Sequence, residues 1–327
     1  MPTLGIEEEV FVTEPARPTL RSLYYLARLL ARNPRFYYVH SASNFARFKD
    51  VRWGLMGGVE ISTGVHSDPD CLLEDLRLRR RDLASVADGL IVPMGHLLEQ
   101  DTPTNVCGLQ VHLGELPDKD RAYRNIVHFL PLLLLLTANS PAVSGRRVGK
   151  SCRVLNSFAI GPLRPDRSYR FQDVIYSRRL GTLEVRVPDP VWDLERVRWL
   201  VRCLVAVATL ERDLPFDLHL YNEQRILAAR DGHNAHTRDL YRELREILDV
   251  PEELFERTPS DEIWEIYQRQ GAVAAYREAD RGYRGLDSAE EGDVRRRAPA
   301  LAFAALAGFV GYFLPRLPYY AWKGLIE

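Results

Sequence analysis

Five residues in this sequence, Glu7, Glu9, Glu60, His112 and Glu184, have side chains suited to holding a divalent cation, and Arg186 is suited to phosphate oxygens. Each lies in a short segment that reads as a β-strand, where successive side chains point to opposite faces. In Thr3–Val12, Glu7 and Glu9 share one face with Gly5 and Phe11, and Leu4, Ile6, Val10 and Val12 take the other. In Gly58–Ser62, Glu60 and Ser62 oppose Val59 and Ile61. In Cys107–Gly114, Gln110 and His112 oppose Leu109, Val111 and Leu113. In Thr182–Val187, Thr182, Glu184 and Arg186 oppose Leu183, Val185 and Val187. Glu8 breaks the pattern. It falls on the apolar face of its strand and needs either a basic partner from a packed helix or an exposed sheet edge.

Taken singly, each segment is an ordinary half-buried strand with its charges outward, and a lone histidine is more often structural than a ligand. The combined face is less ordinary, because a merely solvated face is usually richer in Lys, Thr and Ser. If the four strands share a sheet, Glu7 and Glu9 sit about 7 Å apart and can serve neighbouring ions. Such a donor set suits Mg²⁺ or Mn²⁺, which take carboxylate, water and phosphate oxygens, with a nucleotide commonly supplying the phosphate. There is no Walker A sequence and no G-x-G-x-x-G after a strand, so phosphate handling falls to metals and arginines. Arg186 is one candidate, and Arg146, Arg147, Lys150 and Arg153 form a second group that in isolation reads as a solvated loop.

The elements that must position these residues alternate irregularly. Thr19–Arg32 has helical spacing at Leu20, Leu23, Leu26 and Leu30. Asp68 followed by Pro69 opens a helix carrying Leu72, Leu76, Leu83 and Val86. Arg52–Ser62 and Gly89–Met94 read as extended, and a helix follows Pro117. Asp193–Asp213 reads as one long helix, and the chain is almost wholly helical beyond it. Gly145–Arg170 stands out as a long functional or mobile loop. The class is α+β, with strands early and helices late.

With 46% hydrophobic and 27% charged residues and a net charge of −1, the chain reads as a soluble globular protein without a nucleic-acid-binding field. Cys71, Cys107, Cys152 and Cys203 form no C-x-x-C pair, which points to a reducing cytoplasm and away from structural zinc. Glu7–Glu9 interrupt the place where a signal-peptide core would lie. Ile126–Ala138 and Ala298–Leu314 read as buried helices in preference to membrane spans.

The segments TLGIEEEVF, GVEIST, LQVHLG, LPLLLLLTANSPAVSG and GTLEVRVPD, in that order, resemble the type 2 glutamate–cysteine ligases of the carboxylate–amine ligase family. LEVRVPDP also resembles a strand of glutamine synthetase. The matches run from Thr3 to about Gly232 and weaken in the C-terminal helices. The resemblance implies a glutamine synthetase/guanido kinase-like catalytic domain: a curved, mostly antiparallel sheet of about six strands with helices on its convex side. It implies one such domain over residues 1–327, mainly helical from about 193. It also implies an ATP-dependent ligase that forms an acyl phosphate of glutamate or a similar acid, which an amine then attacks. The implied cofactors are ATP and Mg²⁺ or Mn²⁺, and the implied partners are a small-molecule acid and amine, with no nucleic acid and no membrane. Homo-oligomerisation is left open.

Mapped by motif, Glu7, Glu9, Glu60, His112 and Glu184 fall at metal-ligand positions, and Arg186 at a phosphate contact. Ser151, Arg153, Arg230 and Gln110 fall at substrate or phosphate positions. Gln110 stands where the family carries a first imidazole, Met94-Gly95-His96-Leu97 stands for a G-T-H-P-like turn, and Gln224-Arg225-Ile226 stands for Asn-Arg-Trp. The metal skeleton is thus kept while its surroundings differ. Two other readings stand beside the ligase: a small-molecule phosphotransferase of the same superfamily, and a non-catalytic relative that binds nucleotide or a partner. Ala298–Leu314 alone would support membrane attachment.

Overall fold

The computed structural model describes residues 2–19, 21–32, 37–39, 58–101 and 105–285, with isolated positions between 307 and 318. Its centre is β1 (Thr3–Thr13), the longest strand. β1 pairs on one side with β3 (Val59–Ser62), which pairs with β2 (Tyr37–Val39). On the other side it pairs with β5 (Leu109–Gly114), followed by β9 (Thr182–Val185) and β8 (Val174–Ser177). β4 (Leu90–Val92) pairs with the last residues of β1. All these pairings are antiparallel and the strand order is β2-β3-β1-β5-β9-β8. The α+β class and the antiparallel sheet expected from the sequence are both present.

The apolar face of the sheet is the floor of the main core. Leu4, Ile6, Val10, Val59, Ile61, Leu109, Val111, Leu113, Leu183 and Val185 are buried there against α1 (Arg21–Arg32), α2 (Pro69–Val86), α3 (Lys119–Leu133) and α5 (Leu194–Ala208). α2 starts where the sequence puts it: the Asp68 side chain accepts the Cys71 N–H at 2.9 Å and Pro69 fills the first turn. The apolar run Ile126–Ala138 is the end of α3 and a 3₁₀ turn, buried in that core. Among the described residues no helix is long and apolar enough to cross a membrane. Ala298–Leu314 and the first part of Arg52–Ser62 lie almost wholly outside the described residues.

Two segments differ from the sequence reading. The helix expected over Asp193–Asp213 stops at Ala208. The Thr209 hydroxyl bonds back to the Val205 carbonyl, and the chain beyond is tied down by Asn125, which bonds the Arg212 carbonyl and the Leu214 N–H. Gly145–Arg170 is not one long loop. It holds β7 (Arg146–Arg147), paired with β6 (Ala142–Val143), and the short helix α4 (Cys152–Asn156) with a buried side. The remaining helices are α6 (Leu218–Asp231), α7 (Ala235–Arg245), α8 (Glu253–Glu256), α9 (Pro259–Gln270) and α10 (Ala272–Arg284). α9 and α10 form a second core with Phe11, Val92 and Met94, so the polar run of β1 ends at Glu9.

Of the two options that the sequence left for Glu8, the structure shows the basic partner. Arg80 of α2 donates to Glu8 Oε2 at 3.0 Å and Oε1 at 2.5 Å, and the Tyr283 hydroxyl of α10 donates to Oε2 at 3.0 Å. The guanidinium also donates to the carbonyls of Val191 and Trp192 and lies over the Tyr283 ring. Both charged groups are fully buried. Removing one partner strands the other in the core, at a cost of about 3–5 kcal/mol. Arg80→Met is therefore expected to lower the urea midpoint strongly, and Arg80→Met combined with Glu8→Leu is expected to recover most of the loss.

Candidate active site

The sheet register sorts the polar side chains into neighbouring rows. Glu9 pairs with Glu60, Glu7 lies between Ser62 and Gln110, and His112 lies between Gly5 and Glu184. All five sequence-derived metal candidates therefore share one face of one sheet. Gln110 stands beside them, and Arg186, two residues beyond Glu184, pairs with the Glu184 carboxylate.

The groups differ in environment. Glu9 is buried and accepts the Gly108 N–H at 2.7 Å and the Gln110 amide at 3.1 Å. The amide that replaces an imidazole thus engages a carboxylate of the row. Glu7 keeps 24% of its side chain exposed, and its Oε2 lies 3.7 Å from His112 Nε2. Burial opposes its charge, but His112, Arg179 and Arg186 outweigh that and hold the carboxyl below its ordinary value. Glu60 goes the other way. Burial and then the charges of Glu7, Glu9 and Glu184 push its carboxyl well up, and Arg186 only partly offsets them.

The other candidates do not join the row. Ser151 is buried as the cap of α4, accepting the Val154 N–H at 3.2 Å. Arg153 is buried, with its guanidinium donating to the carbonyls of Arg186, Val187 and Pro188. It lies directly against Gly108, where a Cβ would come within 2.3 Å of its Nη2, so glycine is required there. This geometry gives Arg153 a role in shaping the backbone between Glu9 and Arg186. Arg230 is exposed on α6 and pairs with its neighbour Asp231. Arg147 and Lys150 pair with Asp261, at 2.7 and 2.5 Å.

Two arginines of interest carry no motif of their own. Arg225, which the sequence marked only as part of a departure, is buried and pairs with Asp173. The Asp173 carbonyl accepts the Arg186 N–H at 2.8 Å, so α6 braces the strand that carries Glu184 and Arg186. Arg179 lies exposed in the β8–β9 turn and donates to no described residue, and its charge acts on Glu7. A lone arginine in a polar turn gives no sequence signal; only the pairing of β8 and β9 brings it to this end of the face.

The donor set fits a hard divalent cation. Carboxylate oxygens dominate, His112 Nε2 is buried without a hydrogen-bond partner, and burial together with the neighbouring carboxylates pushes the Glu60 carboxyl well up, a repulsion that a cation would relieve. Among the described residues no three His, Cys, Asp or Glu side chains close around one point. The carboxylates form a row, which leaves coordination positions for water and phosphate oxygens.

No family model matches the chain. A protein of Bradyrhizobium sp. (strain ORS 278) named "Putative glutamate--cysteine ligase 2" is 27% identical over 228 residues, 53% of this chain and 54% of that protein. Its namesake in Bradyrhizobium diazoefficiens is 25% identical over 302 residues, 70% of this chain and 68% of that protein. In Pseudomonas aeruginosa the figure is 33% over 114 residues, 28% of that protein. The chain spans about half the length of the first two curated relatives, 54% and 53%. Among solved structures, a glutamate–cysteine ligase from Francisella tularensis in complex with AMP matches with a TM-score of 0.59 at 12% identity, over 98% of this chain and 94% of that one. That last likeness is one of fold. The resemblance drawn from the five sequence segments agrees with these findings: the curated proteins that this chain is similar to carry glutamate–cysteine ligase names.

Glu60 gives a pH prediction for the metal-free protein. The folded state keeps its proton to higher pH than the unfolded chain does. The stability tied to that proton is therefore complete below the ordinary value of 4.5 and is lost as pH rises through the folded value. Glu60→Gln is expected to remove that decline and to raise Tm at neutral pH by about 2–4 °C, as measured by differential scanning calorimetry.

Proposed function

We propose that this relative of the type 2 glutamate–cysteine ligases is an ATP-dependent carboxylate–amine ligase, with residues 1–327 acting as one catalytic domain. The observation that carries the proposal is the single sheet face on which Glu7, Glu9, Glu60, His112 and Glu184 stand together, with Arg186 at its edge. In this reading ATP transfers its γ-phosphoryl group to the carboxylate of the acid and ADP leaves. The amine nitrogen then attacks the acyl carbon, phosphate departs with the bonding electrons, the nitrogen gives up one proton to water, and an amide remains.

Glu7, Glu9, Glu60, His112 and Glu184 would hold Mg²⁺ or Mn²⁺. When bound, the cation supplies positive charge between phosphate and carboxylate oxygens that would otherwise repel. Arg186, braced through Asp173 by Arg225, would meet phosphate oxygens in a fixed position. Arg179, donating to no described residue, would meet an anion arriving at the Glu7 end. Gln110 would orient Glu9 through its amide. Such preorganised charges do most of the work in phosphoryl transfer, because the protein has little covalent chemistry to contribute. Gln110, Met94–Leu97 and Gln224–Ile226 depart from the family pattern, and the acid and amine are accordingly to be found by screening.

The test is coupled ADP release with Mg²⁺, pairing a panel of acids with a panel of amines. Turnover that needs both and yields amide and free phosphate supports the ligase; a stable phosphorylated product supports the phosphotransferase. Glu184→Gln is expected to lower turnover about 10²-fold or more with the fold intact. Unchanged turnover in that variant would remove Glu184 from the site.

A further inference from the structure

Thr182 opens β9 two residues before Glu184 and so shares its face of the sheet. Its Oγ1 lies 3.2 Å from His112 Nδ1. Its methyl group packs toward Gly114 of the neighbouring strand. A Cβ there would come within 3.3 Å of the Thr182 Cγ2 and 2.5 Å of the Thr3 Oγ1, so only glycine leaves this room. A β-branched side chain with its methyl so placed has little χ1 freedom, which aims the hydroxyl at the imidazole. Across the ring, His112 Nε2 is buried without a hydrogen-bond partner, and Glu7 Oε2 stands 3.7 Å away.

A hydroxyl can donate or accept, so the geometry alone allows either tautomer of His112. The chemistry of the face selects one. A neutral imidazole that offers a lone pair at Nε2 carries its proton on Nδ1, where the group facing it must accept. We propose that Thr182 is the positioning residue that keeps the His112 proton on Nδ1 and turns Nε2 toward Glu7, presetting the ring as a ligand for a divalent cation. The proposal rests on the metal-binding part of the function proposed above. It makes Thr182 act through His112, without touching substrate itself.

Two substitutions separate this role from simple packing. Thr182→Val keeps the branched shape and loses the acceptor, and Thr182→Ser keeps the acceptor and loses the methyl. The first readout is the ¹⁵N spectrum of histidine-labelled, metal-free protein at a pH where the imidazole is neutral. The second is binding of Mn²⁺ alone, followed by electron paramagnetic resonance. Wild type and Thr182→Ser are expected to show the proton on Nδ1 and similar Mn²⁺ affinity. Thr182→Val is expected to lose that tautomer preference and to bind Mn²⁺ about 10–100-fold more weakly, with an unchanged circular dichroism spectrum. A wild-type proton on Nε2, absence of Mn²⁺ binding by wild type, or weaker binding in the serine variant than in the valine variant overturns the proposal. Should Thr182→Val fail to fold, the wild-type spectrum and the serine variant still decide. If no acid and amine support ADP release while both readouts behave as expected, the ligase reading fails and the role of Thr182 stands.

Discussion

Three consecutive carboxylates in a central strand impose one constraint on everything around them. Alternation sends Glu7 and Glu9 to one face and forces Glu8 into the core on the other. A lone buried carboxylate there would be strongly unfavourable. The fold meets it with Arg80 from α2 and Tyr283 from α10, while the carbonyls of Val191 and Trp192 take the remaining guanidinium protons. One charge pair thereby joins the centre of the sheet to two helices and to the turn before a third. With Glu8 satisfied behind the sheet, Glu7 and Glu9 are held in register in front of it.

The front face is under electrostatic tension of its own. Four carboxylates lie in adjacent rows with Arg186 and His112 as the nearest cationic or ionisable partners, and burial and then the neighbouring carboxylates push the Glu60 carboxyl well above its ordinary value. That response is one physical sign that the face is arranged to meet positive charge. The arginines behind it are not interchangeable with those on it. Arg153 and Arg225 are consumed by carbonyls and by Asp173, and their fixed geometry holds the strand that presents Glu184 and Arg186. Thr182 plays a comparable part for His112 at the other end of the row.

Much of the candidate site was legible in advance because β-alternation is a local rule. Glu7, Glu9, Glu60, His112 and Glu184 needed only the period of two to be assigned to a common kind of face. The cap at Asp68 and Pro69 was legible for the same reason, since its chemistry spans three residues. The end of α5 was not. It depends on Asn125 capturing the chain at Arg212, 87 positions away. Gly145–Arg170 misled for a related reason: its polar composition hid the burial of Ser151 and Arg153, whose hydroxyl and guanidinium bond to the Ser140 hydroxyl and to the Val187 carbonyl.

The sequence by itself determined which residues can alternate to one side of each strand, and hence the donor types available to a cation. It also established that Glu8 needs either a basic partner or an exposed sheet edge. Only the tertiary structure decided that the partner is Arg80, 72 positions away, that Arg225 and not Arg230 braces the site strand, and that Thr182 faces His112. The reason is one of range. Side-chain direction within a strand follows from the covalent chain and its sterics, whereas the choice of partner follows from which strands and helices pack side by side.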